Sequence, residues 1–266
     1  MNANIVLVDN SKGAVQRHEL ETAASALQYQ ITNQLSLPPP YGWGFNATLS
    51  LGVPGHAPKP NDWVLELREH PDQPGALGDH GITPSGQPYM NVFPLLDKQD
   101  GVPWVPTASH EIAEAGADPM GRRAAQSWDG FFWALEIADA IEADMYPVMI
   151  GPDKVFLSNF VLPPYFEPVQ NMAGLKQDVM GLLRSDKRLE IRPGGYGQKW
   201  VPGRGWVQLV HRQTAPRAFR QSYLGRRSRR QLMASPIANA VLSSGPLWSF
   251  DDNIIEKPRP GDEEEF

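Results

Sequence analysis

The stretch Thr107-Ala-Ser-His-Glu-Ile-Ala-Glu-Ala-Gly-Ala-Asp-Pro119 predicts a short helix that ends at Asp118-Pro119. Positions four apart lie on one face of an α-helix, so His110 and Glu114 are expected to point the same way. The spacing is that of the zinc-protease pattern His-Glu-x-x-His, with a glutamate in place of the second histidine. Glu111 then occupies the position of the general base that activates a water molecule. The stretch therefore predicts a metal site.

The composition limits the ligands that such a site can use. The chain has 266 residues and no cysteine. Disulfides, thiol catalysis and thiolate metal sites are therefore excluded, and a metal would be held by histidine and carboxylates, which suit zinc, manganese or calcium. No apolar run approaches the ~18 residues of a membrane span. Residues 1–9 show no basic region or cleavage site of a signal peptide, so we expect a protein of the cytoplasm or of a virion.

The order of apolar patterns predicts an α/β fold of the α+β type. Runs of β-branched and aromatic residues indicate strands, and apolar spacings of three and four indicate helices. Strands are expected near residues 5–8, 47–52, 63–68, 89–96 and 155–162, with a hairpin over 200–207. Helices are expected over 18–35, where Pro38-Pro39-Pro40 follows, and over 170–190. The segment 75–86 is rich in turn residues.

A carboxylate further along the chain completes the candidate site. In thermolysin-like enzymes a glutamate on a later helix supplies the third ligand, and here Glu136 stands in a predicted return helix over 133–144. The candidate ligands are His110, Glu114 and Glu136, with an open fourth position. Asp139 would accept a hydrogen bond from the other ring nitrogen of His110. The alternative is an ordinary amphipathic helix whose acids face solvent.

Several separated motifs resemble a set of largely uncharacterised bacterial and phage proteins with a zincin-like core. The resemblance covers most of residues 75–196. It is carried by Gly75-Ala-Leu-Gly-Asp-His80, Ser109-His-Glu-Ile-Ala-Glu114, Leu135-Glu-Ile-Ala-Asp139, Leu157-Ser-Asn-Phe-Val-Leu-Pro163 and Pro193-Gly-Gly-Tyr196. A weaker likeness, limited to the helix motif with Asp118-Pro119 and the later Glu-Ile-x-Asp, links the chain to plant phosphate-induced proteins.

The resemblance implies a zincin-like domain, in which a mixed sheet packs on a metal-binding helix, and a zinc metallopeptidase activity. His110, Glu111 and Glu114 match the pattern, whereas the second histidine of the proteases is absent. One histidine with two carboxylates should hold zinc less tightly than two histidines do, and hard oxygen ligands favour calcium or manganese more. Relatives also carry an aromatic residue where this chain has Asp79.

His80 lies in the glycine-rich segment ahead of the fourth predicted strand. It is a candidate catalytic residue that would donate a proton to a substrate oxyanion, or an extra metal ligand. The simpler interpretation, which we favour, is a hydrogen bond within a turn. The sequence leaves all three open.

Charge divides the chain into a domain and a C-terminal arm. Residues 191–250 contain ten basic residues and no acidic one, although the whole chain has a net charge of -6. We therefore predict a zincin-like domain over 1–212, a basic extended arm over 213–250 and an acidic, disordered tail over 251–266. The arm carries the candidate partner-binding residues Arg217, Arg220, Arg226, Arg227, Arg229 and Arg230.

The basic arm has two interpretations. Its arginines could neutralise nucleic-acid phosphates, or they could dock on an acidic protein surface and build a homo-oligomer or a larger assembly. We favour protein assembly, because the arm shows no recognisable nucleic-acid-binding fold. Two functions are therefore predicted: a metal-dependent, peptidase-like hydrolase, or a non-enzymatic structural protein, such as a phage virion component, built on a degenerate zincin domain.

Overall fold

A five-stranded mixed sheet forms the first half of the fold, and alternating apolar side chains supply its buried face. The computed structural model describes residues 2–53, 56–71, 76–127, 130–167, 174–183, 189–211 and 254–256. The strands of this sheet are β1 (Asn2–Asn10), β2 (Asn46–Leu51), β3 (Trp63–Arg68), β4 (Gly78–Ile82) and β5 (Pro88–Val92). They are arranged in the order β2-β1-β3-β5-β4, and only the edge strand β4 runs antiparallel to its neighbour.

The first helix covers the buried face of this sheet. Helix α1 (Arg17–Gln30) continues into a π-helical turn over Ile31–Leu35, which confirms the helix predicted for 18–35. Leu27, Ile31 and Leu35 are fully buried along one stripe. Near the start of the helix, Glu19 accepts a hydrogen bond of 2.5 Å from Trp104 Nε1. This bond ties α1 to the beginning of the helix that carries the candidate site.

That helix, α3 (Val105–Ala117), is enclosed on both sides. It follows the short helix α2 (Pro94–Gln99) and contacts β4 and β5 on one side and β9 (Asp153–Ser158) on the other. The hydroxyl of Ser109 accepts a hydrogen bond of 2.7 Å from the backbone N–H of Ser158. A Cβ at Gly116 would lie 2.6 Å from the ring of Phe45, so only glycine allows this close packing. The polar residues of α3 are therefore held in the protein interior.

The second half of the described chain is built from antiparallel pairs. Its strands, besides β9, are β6 (Ala124–Gln126), β7 (Phe132–Ala134), β8 (Met145–Ile150), β10 (Tyr196–Val201), β11 (Gly205–His211) and β12 (Ile254–Glu256). Five of them form a sheet in the order β12-β11-β10-β7-β6, and β8 and β9 form a separate hairpin. The hairpin of β10 and β11 confirms the turn predicted for 200–207. The fold is of the mixed α+β class, as predicted.

Some local predictions were wrong. Residues 133–144 do not form a return helix: β7 ends at Ala134, and one 3-10 turn follows at Asp139–Ile141. Pairing of Trp133 with Lys199 in β10 overrides the helical spacing. The segment 75–86, which was expected to be rich in turns, contains strand β4, whose backbone pairs with β5. The described residues 174–183 contain no helix, although one was predicted over 170–190.

The C-terminal predictions fall mostly beyond what the structure describes. Residues 212–253 and 257–266 lie outside the described residues, and with them lie the basic arm and its six arginines. In the predicted tail, residues 254–256 form β12 against β11, so this part of the tail is paired. Within the described residues, no helix is long and apolar enough to cross a membrane.

Candidate metal centre

Six ionisable side chains from three segments of the chain meet beside helix α3. Each of the six residues is almost completely enclosed, with an exposed fraction of the whole residue between 1% and 6%. They come from strand β4, from helix α3 and from the segment that follows β7. The six residues are His80, His110, Glu111, Glu114, Glu136 and Asp139. Burial of so many ionisable groups in one place is unusual, because charged side chains are almost never fully buried unless they are paired or bind metals.

One half of this cluster is the His110 group, which consists of His110, Glu114 and Asp139. His110 and Glu114 lie one turn apart on α3, and His110 Nε2 is 3.2 Å from Glu114 Oε1. The same nitrogen is 3.4 Å from Asp139 Oδ1. The helix spacing thus brings together the two residues that the sequence paired, and the 3-10 turn supplies the third.

The other half is the His80 group, which consists of His80, Glu111 and Glu114. A hydrogen bond of 3.0 Å joins His80 Nδ1 to Glu111 Oε2, and the same nitrogen is 3.4 Å from Glu114 Oε2. Strand β4 can come this close to α3 because residue 78 is glycine. A Cβ on Gly78 would lie 2.6 Å from Glu111 Oε1 and 2.8 Å from Thr107 Cγ2.

Glu136 lies on the opposite side of the His80 ring. Its Oε2 atom is 3.7 Å from His80 Nε2, and Glu136 belongs to neither of the two groups. From the sequence we predicted that Glu136 is the third metal ligand and that Asp139 accepts a hydrogen bond from the other ring nitrogen of His110. The structure instead brings Asp139 next to His110 and Glu114 and sets Glu136 against His80. The reason is the missing return helix: the chain is extended through β7 and turns only at Asp139.

Burial and the neighbouring charges shift two pKa values of the cluster strongly. Burial by itself lowers the pKa of His110, but the charge of Glu114 and hydrogen bonds with Asp139 and Glu114 outweigh it and raise this pKa well above 6.5. Burial raises the pKa of Glu114 well above 4.5, and the nearby charges of Asp139 and Glu136 raise it further, whereas His110 lowers it. Protons and cations therefore compete for the same atoms.

The spacing of the donor atoms fits a divalent cation. Ligand atoms about 2.1 Å from an ion, at angles of about 90–109° to each other, are separated by about 3.0–3.4 Å. In the His110 group the two separations from the histidine nitrogen are 3.2 and 3.4 Å. In the His80 group they are 3.0 and 3.4 Å. These buried groups can hold a metal ion.

The position of His80 is what the sequence interpretation missed. We favoured a hydrogen bond within a turn, but the residue lies in strand β4 and its side chain is 1% exposed. Side chains alternate between the two faces of a strand, and this alternation was a usable signal of β4: Gly78 and His80 are buried, whereas Asp79 between them is less buried. Its catalytic role stays a prediction, as does that of Glu111.

Comparison of the chain with protein-family models, with curated proteins and with solved structures finds no match. The resemblance to zincin-like proteins therefore stays a prediction. Three of the segments that carry it, those ending at His80, Glu114 and Asp139, supply all six side chains of the cluster.

Proposed function

We propose that the protein is a metal-dependent hydrolase with a cation position formed by His110, Glu114 and Asp139. The observation that supports this most is the convergence of these three buried side chains, with both carboxylates within 3.4 Å of His110 Nε2. The set differs from the one expected from the sequence by one residue, Asp139 in place of Glu136. One nitrogen and several carboxylate oxygens suit zinc, which we propose as the metal, and also manganese or calcium.

Glu111 is the proposed general base. It follows His110 directly on α3, and its carboxylate is held by the hydrogen bond to His80 Nδ1. A divalent cation bound to the His110 group would polarise the carbonyl of a substrate. Glu111 would accept a proton from the attacking water as the water oxygen bonds to the carbonyl carbon. The same proton would then pass to the leaving amine nitrogen as the carbon–nitrogen bond breaks, which makes a peptide bond the proposed substrate.

The first experiment compares two carboxylates of similar burial. In metal analysis of the purified protein, Asp139→Asn should lose the bound metal because it removes a ligand of the His110 group. Glu136→Gln should keep it, because Glu136 lies on the far side of His80 and belongs to neither group. Metal in wild type that is lost only from Glu136→Gln would contradict the proposed ligand set. An absence of metal from the wild type would contradict the whole proposal.

A second candidate function is supported by the burial of the site. Structural metal sites are closed, whereas catalytic sites keep an open position, and all six residues here are at most 6% exposed. In this alternative the cation stabilises a non-enzymatic structural protein, such as the virion component considered above. Hydrolysis of fluorescently labelled casein separates the two. If the protein is a hydrolase, it should cleave casein, and Glu111→Gln should abolish this activity while metal is retained. If it is a structural protein, it should bind metal, melt at a higher temperature with metal than without it, and cleave nothing.

A further inference from the structure

Glu114 presents its two carboxylate oxygens to two different imidazoles. Its Oε1 atom lies 3.2 Å from His110 Nε2, and its Oε2 atom lies 3.4 Å from His80 Nδ1. The side chain is 1% exposed, so both oxygens face the protein interior. A carboxylate oriented in this way belongs to both groups at once. It has the arrangement of a bridge between two neighbouring cation positions.

We propose that the protein binds a second divalent cation between His80, Glu111 and Glu114, joined to the first cation position through Glu114. The three donor atoms of this second position are His80 Nδ1, Glu111 Oε2 and Glu114 Oε2. The two carboxylate oxygens lie 3.0 and 3.4 Å from the nitrogen, which is the spacing of ligands about 2.1 Å from an ion. The inference rests on the proposed function, because the first position is that of the His110 group.

Glu136 acquires a role in this arrangement. Its carboxylate faces His80 Nε2 at 3.7 Å, on the side of the ring away from the second position. A carboxylate near the outer nitrogen of an imidazole fixes the ring and presents the other nitrogen to a metal. Glu136 is therefore a positioning residue for His80, and this accounts for a buried carboxylate that the first position does not use.

The charge of the cluster also favours two cations. Ligands release their protons when they bind a metal, so in the metal-bound form the imidazoles are neutral and the four carboxylates carry four negative charges in the protein interior. Buried charges of this kind require compensation, and an uncompensated one strongly destabilises the fold. One divalent cation balances half of this charge, whereas two divalent cations balance all of it. The four carboxylates are Glu111, Glu114, Glu136 and Asp139.

The second cation would change what Glu111 does. With only the first position filled, Glu111 keeps its hydrogen bond to His80 and can act as a base. With both filled, the Glu111 carboxylate is a ligand and no longer takes a proton from water. Excess metal is therefore expected to suppress hydrolysis, which makes the second position a regulatory one.

The test is the number of cations bound by the full-length protein. Protein stripped with a chelator and dialysed is titrated with zinc by equilibrium dialysis, and bound zinc is counted per chain. We expect two zinc ions for wild type and one for His80→Asn, with the tighter binding event changed by less than threefold. His18→Ala is the matched control, because His18 is an exposed histidine 3.1 Å from Asp153. It should still bind two.

Manganese provides a second readout that does not depend on counting. Two Mn²⁺ ions joined by one carboxylate are magnetically coupled, so the electron paramagnetic resonance spectrum of the loaded wild type should differ from that of isolated Mn²⁺. His80→Asn should restore the isolated-ion spectrum. Two bound Mn²⁺ ions with an uncoupled spectrum in wild type would overturn the shared position of Glu114.

The failures of the two proposals are distinguishable. One zinc per chain in wild type overturns the second position and leaves the proposed function standing, whereas no zinc overturns both. Two zinc ions that persist in both His80→Asn and Glu111→Gln also overturn it, since the second ion then lies elsewhere. Glu111→Gln serves as the second variant if His80→Asn fails to fold in far-ultraviolet circular dichroism, and it too should bind one zinc.

Discussion

The His110 group and the His80 group share Glu114 and are equally buried, but the chain assembles them in different ways. His110 and Glu114 are neighbours on one helix, so a turn of α3 sets the distance between them. His80 reaches the same carboxylate from strand β4, whose position depends on pairing with β5 and on packing against α3. One group is therefore local in sequence, and the other exists only once the sheet has formed.

This difference indicates which of the two groups should keep its geometry when nearby residues are substituted. A helix spacing survives small shifts of the surrounding structure, because both residues move together. A contact between a strand and a helix changes with every adjustment of their separation. We therefore expect substitutions between β4 and α3 to disturb the His80 group more than the His110 group.

Glu114→Gln should have the largest effect, because it removes the charge that both groups share. The variant buries one carboxylate fewer and removes its repulsion by the charges of Asp139 and Glu136, so the metal-free protein should fold with a melting temperature at or above that of wild type. Zinc affinity should fall by more than the ~100-fold that loss of an outer hydrogen-bond partner causes. Titration calorimetry and melting curves with and without zinc measure both quantities.

The control for this variant is Glu21→Gln, which alters an exposed glutamate paired with Arg17 on α1. It should leave zinc affinity and the zinc-induced rise in melting temperature unchanged. Wild-type affinity in Glu114→Gln would show that neither group binds metal through this carboxylate.

The pH dependence of the metal-free protein tests the His110 group alone. The folded-state pKa values of His110 and Glu114 both lie above the ordinary values of 6.5 and 4.5. The folded protein therefore holds protons that the unfolded chain has released, and unfolding becomes easier as pH rises. The stabilisation is complete below the ordinary pKa and is lost as pH rises through the folded one, at a rate of up to about 1.4 kcal/mol per pH unit for each proton.

Denaturant unfolding of chelator-treated wild type and His110→Gln between pH 5 and 8.5 measures this effect. Relative to the variant, wild type should lose stability as pH increases. Zinc affinity should change in the opposite direction, because ligands must release their protons to bind a metal. A difference in stability between the two proteins that is constant across this range would contradict the raised pKa values of His110 and Glu114.

Gly78→Ala should have the smallest effect on the whole protein and a selective effect on the His80 group. The new methyl group would meet Glu111 Oε1 at 2.6 Å and Thr107 Cγ2 at 2.8 Å, so either the Glu111 side chain must move or β4 must move away from α3. We expect the free energy of unfolding to fall by about 1–3 kcal/mol, the usual result of overpacking. The second zinc should bind more weakly, whereas the first should bind as in wild type, since the His110 group contains no residue of β4.

Gly197→Ala in β10 is the matched control. A Cβ there would have its closest neighbours, Ile191 and Trp133, at 3.4 Å, which is ordinary contact. It should change stability less and leave both zinc affinities intact. Equal weakening of both affinities in Gly78→Ala would show that the two groups are not separable.

The sequence predicted the parts of the fold that depend on local periodicity. Helix α1 with its π-helical turn, the early parallel strands and helix α3 all follow from apolar spacing, and the mixed α+β class follows from their order. The return helix failed because Trp133 pairs with β10 instead, a contact that no local pattern contains. Strand β4 was missed because its glycines favour turns, and only its pairing with β5 makes it a strand.

The candidate site likewise contains a part that local spacing predicts and a part that depends on contacts between distant segments. His110 and Glu114 could be paired from their spacing alone, and Glu111 could be placed next to them. The positions of Glu136 against His80 and of Asp139 against His110 Nε2 could not be foreseen, because they depend on where the chain leaves β7 and begins its 3-10 turn. The approach of His80 requires a three-dimensional sheet edge, together with a glycine at position 78 that permits the contact.

The enclosure of the six side chains has a consequence for the speed of metal exchange. An ion cannot reach the ligand atoms of residues that are at most 6% exposed until part of the surrounding structure opens. Uptake should then proceed at the rate of that local opening and become independent of metal concentration once the ion is in excess. Release to a chelator should be limited in the same way. Stopped-flow mixing with a zinc indicator would thus report how often the interior beside α3 is exposed, a property that equilibrium affinities do not contain.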